Sequence, residues 1–250
     1  MKKRLFSLAL ASVMALSLAG CGGSAGGTTT EADTSAPADT TAQASSEDTT
    51  AADDTSTEAA KTAADAGGTL IVGFDQDFPP MGFIGNDGEF TGFDLELAQE
   101  VAKRLGLEYK AQPIAWDSKD MELEAGNIDC IWNGFTMTGR EDDYTWSEPY
   151  MANTQVFVVA KDSGIASQAD LAGKIVECQV DSSAEAALKE VPDLTATFKQ
   201  LLTTADYNSA FMDLEQGAVD AIAMDVIVAG YQIQQRNADF IILEDSLSAE

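Results

Sequence analysis

Leu70-Ile71-Val72-Gly73-Phe74, followed by Asp75-Gln76-Asp77-Phe78-Pro79-Pro80 and then by Thr91-Gly92-Phe93-Asp94, sets the pattern for the rest of the chain. The first five residues form a short apolar run bounded by polar residues, which predicts a buried strand. Leu95, Ala98, Val101, Ala102 and Leu105 then recur at helical spacing, and Gly106 stands where a helix stops. The same alternation continues. Strands are predicted over 108–114, 128–132, 155–160, 174–180, 195–199, 221–224 and 240–243. Helices are predicted over 117–126, 206–216 and 226–235, with one opened by Ser182-Ser183-Ala184-Glu185 as a capping box. Strand–helix–strand repeats imply an α/β fold whose parallel sheets are covered on both faces. Ligands of such sheets bind beyond the carboxyl ends of the strands.

Upstream of this region the sequence is of a different kind. Lys2, Lys3 and Arg4 precede an apolar run from Leu5 to Leu18, and Leu18-Ala19-Gly20-Cys21 closes it. This order reads as a secretory signal over 1–20. Its last four residues resemble the bacterial lipobox, which implies lipidation of Cys21 as the new N-terminus. Between Gly22 and Gly67 there is no Val, Ile, Leu, Met, Phe, Trp, Tyr or Cys. Such a segment buries too little apolar area to offset its chain entropy, so 21–67 is expected to be a disordered, lipid-anchored tether.

Charge and composition exclude several function classes. Asp and Glu number 42 against 14 Lys and Arg, a formal net charge of −28. Nucleic-acid binding needs a basic surface, so it is excluded as a partner class. There is no His, so triad chemistry, imidazole ligation and histidine switching are unavailable. No cofactor or metal is implied. Cys130 and Cys178 fall on different predicted strands and are expected as two buried thiols.

The residues after each strand carry the specific signal. They are Asp75-Gln76-Asp77-Phe78-Pro79-Pro80-Met81, Gly92-Phe93-Asp94, Gly134-Phe135-Thr136-Met137-Thr138-Gly139-Arg140, Trp146-Ser147-Glu148-Pro149-Tyr150, and Asp220-Ala221-Ile222 ahead of Asp225. In that order and spacing, from Thr69 to Glu250, they resemble the extracellular solute-binding proteins (family 3) of polar amino-acid ABC transporters. The resemblance implies a two-lobe periplasmic-binding-protein fold with an amino acid held in the cleft. Lobe 1 would cover 68–154, a hinge strand 155–162, and lobe 2 163–250. It also implies a return hinge strand and C-terminal helices after the region equivalent to 243–250, so the C-terminal part is expected to be missing.

Carried over to this sequence, the resemblance implies that Arg140 and the backbone and hydroxyl of Ser183 hold the ligand carboxylate. Thr136, the Gly134 backbone and Asp225 would hold the ammonium. Phe78 and Trp116 would sandwich the side chain, and Asp75 and Asp77 are possible contacts for its tip. The spacing from Thr136 to Arg140 is one residue shorter than the family pattern, and Glu141 occupies the usual register. Arg140 is chosen because a carboxylate site would not use a carboxylate.

Chemistry supports these assignments independently. Enclosing a zwitterion strips water from two charges, and each needs partners. Arg offers a planar fork to a carboxylate. A helix start at Ser182–Ser183 adds free N–H groups. Plainer roles stand beside them: Asp225 and Ser182 as helix caps, Phe78 and Trp116 as core, Arg140 as a surface ion pair, Trp132, Phe83 and Phe93 as core, and Asp94 as structural.

The implied partners are an amino acid, an ABC permease and, through Cys21, the membrane, with the chain a monomer on the outer face. Two rivals remain. One is a two-lobe enzyme of the cyclohexadienyl dehydratase type, with Asp75, Asp77 or Glu148 as acid. The other is a sensor domain for a signalling partner.

Overall fold

Residues 67–236 and 239–249 are described by a computed structural model. The signal, Cys21 and the tether up to residue 66 lie outside the described residues.

The first lobe is built on β1 (Thr69–Phe74), which pairs in parallel with β5 (Glu108–Pro113) on one side and β6 (Cys130–Ile131) on the other. Helix α1 (Phe93–Leu105) connects the first pair. It ends as its sequence predicts, with Gly106 left-handed at φ 72 and its N–H turned back to the last carbonyls. A small antiparallel sheet, β2 (Asp77–Phe78), β3 (Gly82–Ile84) and β4 (Phe90–Thr91), lies between β1 and α1 in the chain. Gly92 locks that insertion to the helix. At φ 136 it adopts a backbone open only to glycine, and a Cβ there would lie 2.2 Å from the Met81 carbonyl oxygen. The close approach lets Phe93 N–H donate to Pro80 O and Asp94 N–H to Met81 O. After β5 come a single 3₁₀ turn (Trp116–Ser118) and the short helix α2 (Lys119–Glu124).

The second lobe holds a six-stranded sheet. Its strands are β7 (Thr154–Ala160), β8 (Ile175–Gln179), β9 (Gln200–Thr204), β10 (Ala221–Asp225), β11 (Phe240–Ile242) and β12 (Ser248–Ala249), in the order β11-β7-β10-β8-β9, with β12 also on β7. Helices α3 (Ser183–Glu190), α4 (Pro192–Thr195), α5 (Tyr207–Gln216) and α6 (Val226–Arg236) connect them. Alternation along the strands sorts the side chains to two covered faces. Val156, Val158, Ile222 and Met224 pack with Phe211 and Val228 on one face. Phe157, Val159, Ala221 and Ala223 pack with Leu171 and Leu188 on the other. Both faces being apolar is why β7 and β10 read as continuous hydrophobic runs.

Four expectations need correction. The second sheet is mixed, not parallel: β8, β9 and β10 run together, but β7 is antiparallel to β10 and β11. Strand β7 arrives directly from the other lobe, with no helical crossover to impose a parallel partner. The strand expected over 195–199 is absent. Pro192 at the first helical position starts α4 instead, and the strand begins at Gln200. Phe93 is 50 % exposed rather than core, stacked on Tyr150. Of the two thiols, Cys178 is buried and Cys130 only half-buried; both are free.

Residues 155–160 of the segment expected as a hinge strand (155–162) belong to β7, which pairs with β10, β11 and β12 in the second sheet. Just ahead of β7, Tyr150 donates to Asp94 and Asn153 to Asp225.

Candidate functional site

The strand ends of the two lobes face one another. Asp75 and Phe78 follow β1, and Gly134 and Thr136 follow β6. Asp181 to Ser183 follow β8, and Asp225 is the last residue of β10. These are carboxyl ends of strands, where an α/β sheet leaves backbone groups and loops free to meet a ligand. Phe78, Trp116, Gly134, Thr136, Ser183 and Asp225 together line one small space of about 20 Å³. Six of the seven expected contacts thus converge. A larger, mainly apolar cavity of about 140 Å³ adjoins it and shares Phe78, Gly134, Thr136 and Asp225.

Arg140, the seventh, sits at the edge of this space. Its Nη1 donates to Ser183 Oγ across the cleft at 3.2 Å and to Thr136 O at 3.3 Å. Its Nη2 reaches Asp181 O at 3.5 Å, and the guanidinium lies 5.1 Å from the Phe135 ring centre. These acceptors are uncharged oxygens, so dipoles rather than a carboxylate meet the guanidinium here. Glu141, in the usual register, is exposed. Ser183 opens α3, whose cap is Ser182: its Oγ accepts from Glu185 N–H at 3.1 Å. The Glu185 carboxylate reaches back to Asp181 N–H rather than to the cap residue itself.

Asp225 lies opposite, buried at the junction of β10 and α6. Its Oδ1 accepts from Asn153 Nδ2 and from Gln155 Nε2, the latter at 2.8 Å. Two amide donors fix the orientation of the carboxylate, which lines the small space together with Thr136. Phe78 and Trp116 are both buried and both line the small space, so the core and cleft-wall readings hold together. Phe78 packs on Tyr207, ring centres 6.0 Å apart. Trp116 donates its indole N–H to Asp181 O at 3.2 Å.

Asp75 and Asp77 are engaged by the second lobe. Asp75 accepts from Gln179 Nε2 at 2.7 Å and from Asp77 N–H at 2.8 Å. Burial pushes its carboxyl up to about 6, against the lowering effect of those hydrogen bonds. Asp77 accepts from Asn208 Nδ2 at 2.8 Å.

Comparison with known proteins places this arrangement. The bacterial extracellular solute-binding proteins, family 3, match residues 70–216. The chain belongs to this family. It is 31% identical over 186 residues to the L-cystine-binding protein TcyJ of Escherichia coli (strain K12), covering 73% of this chain and 68% of that protein. It is 30% identical over 186 residues to the arginine-binding extracellular protein ArtP of Bacillus subtilis (strain 168), covering 72% and 71%. Among solved structures, an ABC uptake transporter substrate-binding protein from Streptococcus pneumoniae with bound histidine superposes with a TM-score of 0.70. The identity is 32%, over 77% of this chain and 80% of that one. The family and these relatives establish a two-lobe solute-binding protein and point away from an enzyme. No described helix is long and apolar enough to cross a membrane.

Several residues of this family member's cleft escape a reading of sequence alone. Gln179, Asn153 and Gln155 are amides inside or beside apolar strands, and a polar residue in such a run is itself a signal that a partner waits there. Lys119 gives no such signal, since a lysine near a helix start reads as solvated. It is 1 % exposed, and pairs with the Asp181 carboxylate.

Proposed function

We propose that this chain captures a polar amino acid between its lobes and delivers it to an ABC importer, held as a monomer on the outer face of the cell membrane by a lipid on Cys21. Arg140 with Ser183 takes the carboxylate, and Asp225 with Thr136 and Gly134 takes the ammonium. Phe78 and Trp116 flank the side chain. The observation that carries the reading is the placement of a guanidinium whose acceptors among the described residues are neutral oxygens on one side of a small aromatic-walled space and a fixed carboxylate on the other. Such a pair matches the two charges of a zwitterion, and neither side supplies both.

Arg140 and Asp225 belong to different lobes, so an amino acid bridging them stabilises closure selectively. The small space among Phe78, Trp116, Ser183 and Asp225, about 20 Å³, opens on the cavity of about 140 Å³ beside it, and the ligand would occupy the two together.

Isothermal titration of the protein with each standard amino acid and with L-cystine tests the reading. Saturable binding of at least one is expected. Absence of binding to all of them overturns it. Recovery of the bound compound unchanged by mass spectrometry distinguishes capture from catalysis.

A further inference from the structure

Three side chains of the first lobe end on a single residue of the second. The Trp116 indole N–H and Arg140 Nη2 both donate to the Asp181 carbonyl, at 3.2 and 3.5 Å, while the Lys119 ammonium pairs with the Asp181 carboxylate. The two members of that ion pair differ sharply in setting. The Lys119 side chain is 2 % exposed and that of Asp181 is 51 % exposed. The ammonium lies 5.2 Å from the Trp116 ring centre and 5.9 Å from that of Phe135. Its other acid neighbour, Asp120, is 4.0 Å away on its own lobe.

Asp181 is also placed to transmit what it feels. It holds a left-handed backbone at φ 56, directly ahead of the cap Ser182 and of Ser183, which accepts from Arg140. Gripping Asp181 therefore sets the start of α3 against Arg140. Neither Lys119 nor Asp181 lines the cavity beside Thr136 and Asp225.

We propose that Lys119 and Asp181 form a closure latch, a pair of positioning residues that favours the closed arrangement of the lobes whatever ligand lies between them. Only the closed arrangement keeps the Lys119–Asp181 ion pair: when the lobes part, the ammonium is left with water and with Asp120 at 4.0 Å, and the Coulombic gain of the shielded pair is lost. The latch thus raises the closed fraction, and a ligand that binds the closed form gains apparent affinity in proportion. Because the pair does not touch the ligand, that gain is the same for every ligand. This last step rests on the binding role proposed above; the effect on closure does not.

The test uses the full chain with no added amino acid, and single-molecule energy transfer between dyes carried by unnatural amino acids at positions 124 and 190. Glu124 and Glu190 are both exposed, one in each lobe. Lys119→Met and Asp181→Asn are compared with the parent. Asn keeps the carbonyl and tolerates the left-handed backbone, so Asp181→Asn removes only the charge. Both variants are expected to lose closed population by about tenfold, and the double variant to match the singles, as residues acting as one unit do. Unchanged distributions in either variant overturn the latch. With L-cystine and L-arginine as probes, every measurable Kd is expected to rise by one common factor. Factors that differ between probes make Lys119 a ligand contact and overturn the positioning role. If neither probe binds, the comparison is made with whichever amino acid the titration above shows to bind; failure of all of them counts against the binding role and leaves the energy-transfer result to decide the latch.

Discussion

Gln179, the last residue of β8 in the second lobe, donates its amide to the Asp75 carboxylate in the first over 2.7 Å, and both side chains are buried. The contact joins the two lobes through an acid that burial has already made reluctant to ionise. Asp94 is raised to about 6 for the same cause, and Glu177 to about 7, both chiefly by burial.

A pH dependence follows with a definite sign. An acid raised from 3.8 to about 6 binds more protons in the folded than in the unfolded chain between those values. Stability contributed by Asp75 is therefore complete below about pH 4 and declines as pH rises through about 6. Asp75→Asn removes this dependence. Relative to the parent, the variant is expected to gain melting temperature between pH 4.5 and pH 7.5. Parallel melting curves at the two pH values would show that the acid is not desolvated.

Replacement of Arg140 is expected to weaken amino-acid binding far more than it weakens the fold. Arg140→Ala should lose at least ~2 kcal/mol of binding free energy, as for truncation of one partner in a buried charged contact. Arg140→Lys keeps the charge but not the fork, and is expected to fall between the two. Calorimetric titration with whichever amino acid binds the parent measures both. An unaltered affinity in Arg140→Ala takes the residue out of the site.

Gly92 is expected to tolerate no side chain. A Cβ there meets the Met81 carbonyl oxygen at 2.2 Å and carbon at 2.6 Å, both backbone atoms that have nowhere to yield. Gly92→Ala should cost ~3 kcal/mol or more, from strained backbone and the clash together. Urea denaturation measures the loss, and a midpoint within error of the parent would contradict the geometry.

Ser182→Ala removes the acceptor for Glu185 N–H at the start of α3. A lost cap of this kind costs ~1 kcal/mol. The same urea midpoint measures it, and hydrogen exchange at Glu185 should quicken. Because Ser183 belongs to that first turn, binding is expected to weaken as well.

The features that local pattern encodes were legible, and those that depend on distant partners were not. Strands β1, β7 and β10 declare themselves because both faces of each sheet are covered and the runs are apolar throughout. Ser182 declares itself because a cap and its helix are adjacent. Phe78, Trp116, Gly134, Thr136, Ser183 and Asp225 reached the same space on a family resemblance, helped by the chemistry of a zwitterion. Lys119 and Asp181 are 62 residues apart, and nothing near either specifies the other. Pro192 illustrates the opposite error: Thr195-Ala196-Thr197-Phe198-Lys199 after it reads as a short strand, while the ring itself starts a helix. Phe93 likewise sits in an apolar motif but stacks at the surface on Tyr150.

Trp116 has a use beyond its place in the cleft wall. Its indole N–H is bonded to a carbonyl of the opposite lobe, and a lysine ammonium lies 5.2 Å from its ring centre. Parting the lobes removes that carbonyl and lets water reach the ring. With Trp132 and Trp146 replaced by Phe, the emission maximum of the remaining indole becomes a native optical gauge of lobe separation, readable without any attached dye.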